Sequence, residues 1–205
     1  MKRTILLFIA ISLTFASCNS KVDYTKVLQK TNLINYFSND EIKELSNLLT
    51  EFENNLSIKN KSNEVIKNYS ELSATLQKEQ TYLAFLDKIE SYFSTSKAVN
   101  QLVSNKLYSK IWKDDIGRIN NSDVIDTLMN INPNGTYAKF LKDYAQEKPM
   151  LKEYINSLVV SGGMSPAMVA MMKEESQQLD FNDPVVRLII AIHYFTLVNE
   201  EVITK

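Results

Sequence analysis

Cysteine and histidine each occur once in 205 residues, and glycine and proline only four times each. With Cys18 alone, no internal disulfide can staple the fold, which must stand on packing. With His193 alone, His-Glu-x-x-His zinc sites and multi-histidine metal centres are excluded. Sparse glycine and proline argue against a sandwich of many tight turns, and plentiful Leu, Ile, Val, Phe and Tyr give the composition of a helix-rich domain. A basic excess is missing as well. The net charge is −1 with both signs scattered along the chain, and the pI of about 5.9 lies far below that of a nucleic-acid binder, so nucleic acid is not an expected partner.

The local signatures of common chemistry also fail on inspection. Ser161-Gly162-Gly163-Met164-Ser165 has the look of a nucleophile turn, but Ala167 stands where a serine elbow needs its second glycine. No Walker-type lysine follows to make it a phosphate loop, so the glycines are expected to end one helix before the next. Asp180-Phe181-Asn182-Asp183 would open a calcium loop, yet Val185 and Ala191 occupy the positions that demand glycine and glutamate. The acid pairs Asp114-Asp115, Glu174-Glu175 and Glu200-Glu201 are adjacent, so on a helix they diverge by about 100° and read as solvated faces. His193 reads as a hydrogen-bonded residue at the edge of a buried helix, the alternative being a general base near Arg187 or Tyr194. No cofactor is expected.

What the chain does contain is helical periodicity. Ser38 and Glu41 have capping-box spacing, and Ile42, Leu45, Leu48, Leu49, Phe52 and Leu56 follow on one face. Val65, Tyr69, Leu72, Leu76, Leu83, Leu86 and Phe93 fit either one helix over residues 62–94 or two broken near 78–81; a bundle helix is favoured over a coiled coil by Glu79 and Glu90 on the seam. A helix from residue 95 through Ile111, ending near Asp114-Asp115-Ile116-Gly117, and another over 123–131 capped by Ser122 are expected. Ser165-Pro166 and Asp183-Pro184 each set a capping oxygen before a proline at the first helical position. The last helix is apolar almost all round, but Arg187 and His193 interrupt it and it is too short to span a membrane. The expected fold is all-α, an irregular bundle of about eight helices with a buried C-terminal helix.

Met164, Met168, Met171 and Met172 recur at i, i+4, i+7 and i+8, which lays four thioethers along one helical stripe. Three readings stay open for them: ordinary core filling, an adaptable face for a protein partner, and a soft-metal site for Cu(I) or Ag(I).

The most specific segment is the start. Met1-Lys2-Arg3 precedes an apolar run over residues 5–15, and Phe15-Ala16-Ser17-Cys18 follows. This resembles the lipobox of bacterial lipoproteins, in a run too short to cross a bilayer. The resemblance implies cleavage before Cys18 and acylation of Cys18 on sulfur and amine, which makes the membrane a partner through that residue. Loss of residues 1–17 leaves 188 residues carrying 21 cations against 24 acids, read as a lipidated tether over 18–31 and a single helical domain over 32–205. Asn19 is not the aspartate that retains such proteins in the enterobacterial inner membrane, so the outer membrane is expected. Asp23 beside Lys21 gives little of the acidic signature associated with surface display in Bacteroidetes, which favours the periplasmic face. Asp126-Thr127-Leu128 resembles the O-glycan acceptor triplet of exported Bacteroidetes proteins.

The expected task is non-catalytic: a membrane-anchored envelope lipoprotein acting as a protein-binding or structural module, with another protein as the expected partner. The alternatives are a carrier of a hydrophobic or soft-metal ligand and a carboxylate-based envelope hydrolase whose acids lie far apart in sequence.

Overall fold

A computed structural model describes residues 23–118 and 125–201; Cys18, the signal and Ser122 lie outside them. An irregular helical bundle is observed, as expected, with ten α-helices among the described residues. The capping box forms as read: Ser38 accepts from the Glu41 N–H and Glu41 reaches back to the Ser38 N–H, opening α2, Asn39–Asn60. Break and continuity are decided at Thr81, whose hydroxyl caps Ala84 and separates α3, Val65–Leu76, from α4, Tyr82–Phe93. The helix expected from residue 95 to near 114–117 divides in two, α5, Val99–Leu102, and α6, Asn105–Ile111, because Ser104 caps the second piece, and from Trp112 onward the chain is extended strand where the helix was expected to end. After α7, Thr136–Tyr144, come α8, Pro149–Ser161, and α9, Pro166–Glu175.

The expected tether ends earlier than residue 31. Tyr24 and Leu28 are buried, and α1, Thr25–Leu28, and a 3-10 turn, Asn32–Asn35, pack on the body through Leu28 and Leu33. Tertiary burial overrides the polar look of the segment, since two large side chains suffice to dock so short a stretch.

The helix expected over 123–131 is instead a strand. β1, Trp112–Arg118, pairs antiparallel with β2, Ile125–Ile131, in a register that sets Trp112 opposite Ile131 and Arg118 opposite Ile125. Met129 and Ile131 are both buried, an alternation of period two that a helix could not direct to one side. The Asp126-Thr127-Leu128 triplet accordingly lies in β2 rather than in a helix.

The bundle closes on α10, Pro184–Glu201. Every residue from Val185 to Leu197 is buried, Arg187 and His193 included. Phe52 of α2 stacks on Phe93 at 4.8 Å and on Tyr194 at 6.3 Å, while the Trp112 indole N–H donates to Thr196 Oγ1 at 2.8 Å and so fastens the base of the hairpin to the same helix.

Candidate functional site

Two buried polar clusters and one open groove are the places where this fold concentrates chemistry. The first cluster joins residues far apart in sequence. Arg187 on α10 donates to Glu53 Oε1 on α2 at 2.5 Å and to the Tyr24 hydroxyl at 3.1 Å. Tyr24 donates to Glu53 Oε2 at 2.5 Å, and Tyr69 donates to Oε1 at 3.3 Å. The guanidinium lies over the Tyr24 ring, 4.9 Å from its centroid, a cation–π arrangement. Burial raises the Glu53 carboxyl above its ordinary value, against the pull of Arg187 and the tyrosine donors. Burial also pulls Arg187 down, but the Glu53 charge together with the Tyr24 and Tyr69 hydroxyls offsets this and holds it above its ordinary value. Both side chains are sealed from solvent, so the cluster acts as a clamp between the N-terminal segment, α2 and α10, with no entry for a substrate.

The second cluster surrounds His193. Its Nδ1 lies 3.0 Å from the Tyr154 hydroxyl and its ring meets Tyr194 edge-on at 5.1 Å. Complete burial drives its pKa down to about 3, so the imidazole is neutral at physiological pH. Enclosure by aromatic rings fits the structural reading of this histidine.

The groove runs between α8 and α9. It encloses about 500 Å³ and is open to solvent, with Val160, Ala167 and Met171 as apolar lining and Glu153, Asn156 and Ser165 as polar lining. Val160 is 88% exposed at the mouth of the groove, and its neighbour Val159 is 57% exposed. The turn beneath it depends on glycine. Gly162 ends α8 with φ at +76°, and a Cβ on Gly163 would approach the Asn130 side chain to 2.5 Å. Asn130 in turn accepts from the Met164 N–H at 2.6 Å and donates to Asp115 at 3.0 Å, which ties the hairpin to the groove's turn.

The methionine stripe divides between interior and rim. Met168 and Met172 are fully buried, whereas Met164 and Met171 are half-buried and pack against the core edge. Met168→Ala is therefore expected to lower stability by about 2–5 kcal/mol, and Met171→Ala by about 1 kcal/mol or less, in urea denaturation monitored by circular dichroism. Equal losses would show that the stripe is a single core face.

Remaining sequence candidates resolve into local structure. Asp180 accepts from the Asn182 backbone and side chain, both at 2.9 Å, and Asp183 caps Val185 at 2.9 Å while accepting from Tyr144. Asp114 accepts from Tyr108 at 2.6 Å, and Asp115 pairs with Lys113 at 2.7 Å. Glu174 pairs with Lys173 at 3.0 Å. The side chains of Glu200 and Glu201 lie outside the described residues. Among the described residues, no three His, Cys, Asp or Glu side chains gather at metal-binding distance, and no helix is long and apolar enough to cross a membrane. Comparison of the chain with protein families, curated proteins and solved structures returns no match, so the functional reading rests on the residues themselves.

Proposed function

We propose that this chain is a lipid-anchored helical domain of the bacterial envelope, held at the periplasmic face of the outer membrane through Cys18, and that it binds another protein in the groove between α8 and α9. The observation that carries the binding role is Val160, an aliphatic side chain 88% exposed at the mouth of that groove. Interfaces draw their affinity from a small apolar centre surrounded by polar groups, and Val160, Ala167 and Met171 amid Glu153, Asn156 and Ser165 supply that pattern. The two charged or titratable clusters inside the domain are buried away from solvent, which supports a structural role for them. A carrier of hydrophobic ligands calls for an interior cavity of several hundred Å³; the cleft lined by Tyr69, Ser73, Ser176 and Phe181 offers about 10 Å³, room for a single water.

Photo-crosslinking in the native cells tests the role. A benzoylphenylalanine at position 160 is expected to yield one discrete adduct, and Ala167→Glu on the facing wall is expected to weaken capture about tenfold without changing the melting temperature. An adduct pattern unaffected by Ala167→Glu would remove the groove from the proposal. For the anchor, Cys18→Ala is expected to release the protein from the membrane fraction, and intact cells are expected to shield it from added protease.

A further inference from the structure

We propose that the α1 face of the domain, built from Lys26, Val27, Lys30 and Ile34, lies against the anionic phospholipid headgroups of the bilayer and fixes how the body stands on the membrane. The inference rests on the reading of Cys18 as the anchor and adds an orientation to it.

Reach is the first argument. Tyr24 is six positions along the chain from Cys18, a span of at most about 22 Å even when fully extended. Tyr24 is no free end: it is clamped to Glu53 and Arg187 in the interior. A domain of this length is roughly 40 Å across, so the leash cannot bring the far side of the body to the membrane. Whatever surface surrounds Tyr24 must be the near one.

That surface has the chemistry of a headgroup contact. Tyr24 and Leu28 point into the core, which directs Lys26 and Lys30, four residues apart, to the opposite side of the same turn of chain. Both lysines are exposed. Val27 is 47% exposed and Ile34, in the following 3-10 turn, 51% exposed. Two aliphatic side chains beside two lysines suit the boundary between headgroups and acyl chains, where the apolar stems sit deep and the ammonium groups meet lipid phosphates. The one acid in the segment is already engaged: Asp23 accepts from the Thr25 N–H at 2.9 Å and from Ser46 at 3.3 Å. The mature chain as a whole is acidic, with 24 acids against 21 cations, so an anionic bilayer repels most of the body and attracts this end of it.

Lysine footprinting reads the orientation directly. The full chain is recovered from bacterial membranes and weighed by mass spectrometry, which tests the acylation of Cys18 on its own. The acylated protein, or the same chain coupled through its single thiol to a maleimide lipid if no acylation is found, is then placed in phosphatidylcholine vesicles with and without phosphatidylglycerol. Acetylation of each lysine is quantified. Lys26 and Lys30 are expected to lose reactivity about threefold or more on the anionic vesicles while Lys152 of α8 is unchanged, and about 1 M salt is expected to restore them. Uniform reactivity across the three lysines, or protection that ignores lipid charge, overturns the proposed face. Absence of the acyl mass alone overturns the anchor and leaves the footprint to stand or fall separately.

Discussion

Arg187→Ala is expected to remove about 3–5 kcal/mol of stability, because it leaves the Glu53 carboxylate buried without its countercharge. Typical domains hold only about 5–15 kcal/mol in total, so this single change consumes a large share of the margin. Replacing both partners is expected to be far milder. In Glu53→Leu with Arg187→Met the uncompensated charge disappears, and apolar replacements of buried ion pairs are often neutral or stabilising. Here, however, the Tyr24 hydroxyl would lose its acceptor on Glu53, at about 1–3 kcal/mol, while Tyr69 keeps the backbone carbonyl of residue 187 as an acceptor, so the double variant should fall between wild type and Arg187→Ala. Urea denaturation at neutral pH ranks the three proteins. A loss below about 1 kcal/mol for Arg187→Ala would mean that the pair is solvated and the clamp idle.

Acid is expected to destabilise the fold through His193 before most carboxylates titrate. The folded-state pKa is pushed by burial from 6.5 to about 3, so below pH 6.5 the unfolded chain takes up a proton that the folded chain refuses. The stabilisation is complete above pH 6.5 and is lost progressively as pH falls towards 3, to a total of about 5 kcal/mol. Glu41 acts in the same sense at lower pH: burial pulls its carboxyl up, but hydrogen bonds from Lys110 and the Ser38 N–H hold it down to about 2, so its contribution is present above 4.5 and fades below. Glu53 works the other way. Its raised pKa lets the folded state accept a proton first, which offsets part of the loss. Between pH 6.5 and 5 the histidine dominates, so His193→Gln should flatten the dependence of the urea midpoint in that window. An unchanged slope in the variant would assign the acid sensitivity elsewhere.

The helical body was legible because its signals are local. Ser38 with Glu41, Ser165 before Pro166 and Asp183 before Pro184 each satisfy backbone donors within one turn, and the structure starts helices at all three. The apolar run of α10, broken by Arg187 and His193 between Val185 and Leu197, likewise announced its burial. The hairpin was not legible, since residues 125–131 hold Ile125, Leu128 and Met129 at helical spacing, and a seven-residue stretch gives periodicity too few turns to discriminate. What selects the strand is tertiary: the burial of Met129 and Ile131 and the pairing with β1. The clamp was hidden for a related reason. Glu53 and Arg187 sit 134 residues apart; in sequence Glu53 looks like one of the many charges of an amphipathic helix and Arg187 like a stray charge on an apolar one. The groove was half visible, as the methionine stripe pointed to α9 and the glycines to the end of α8, but the exposure of Val160 depends on which elements pack around it, and that is tertiary.

The position of α10 also governs the timing of folding. Tyr24 and Trp112 are each tied to this helix, across 163 and 84 residues respectively, and contacts of such long sequence separation carry a large loop-closure cost before they yield any stabilisation. A chain emerging residue by residue can pair α2 with α3 and α8 with α9, but it lacks the helix on which these pairs close until residues 184–201 appear. A protein threaded through a translocation pore would thereby stay loose and pliable through most of its passage, and would become compact only once its last helix had cleared the channel.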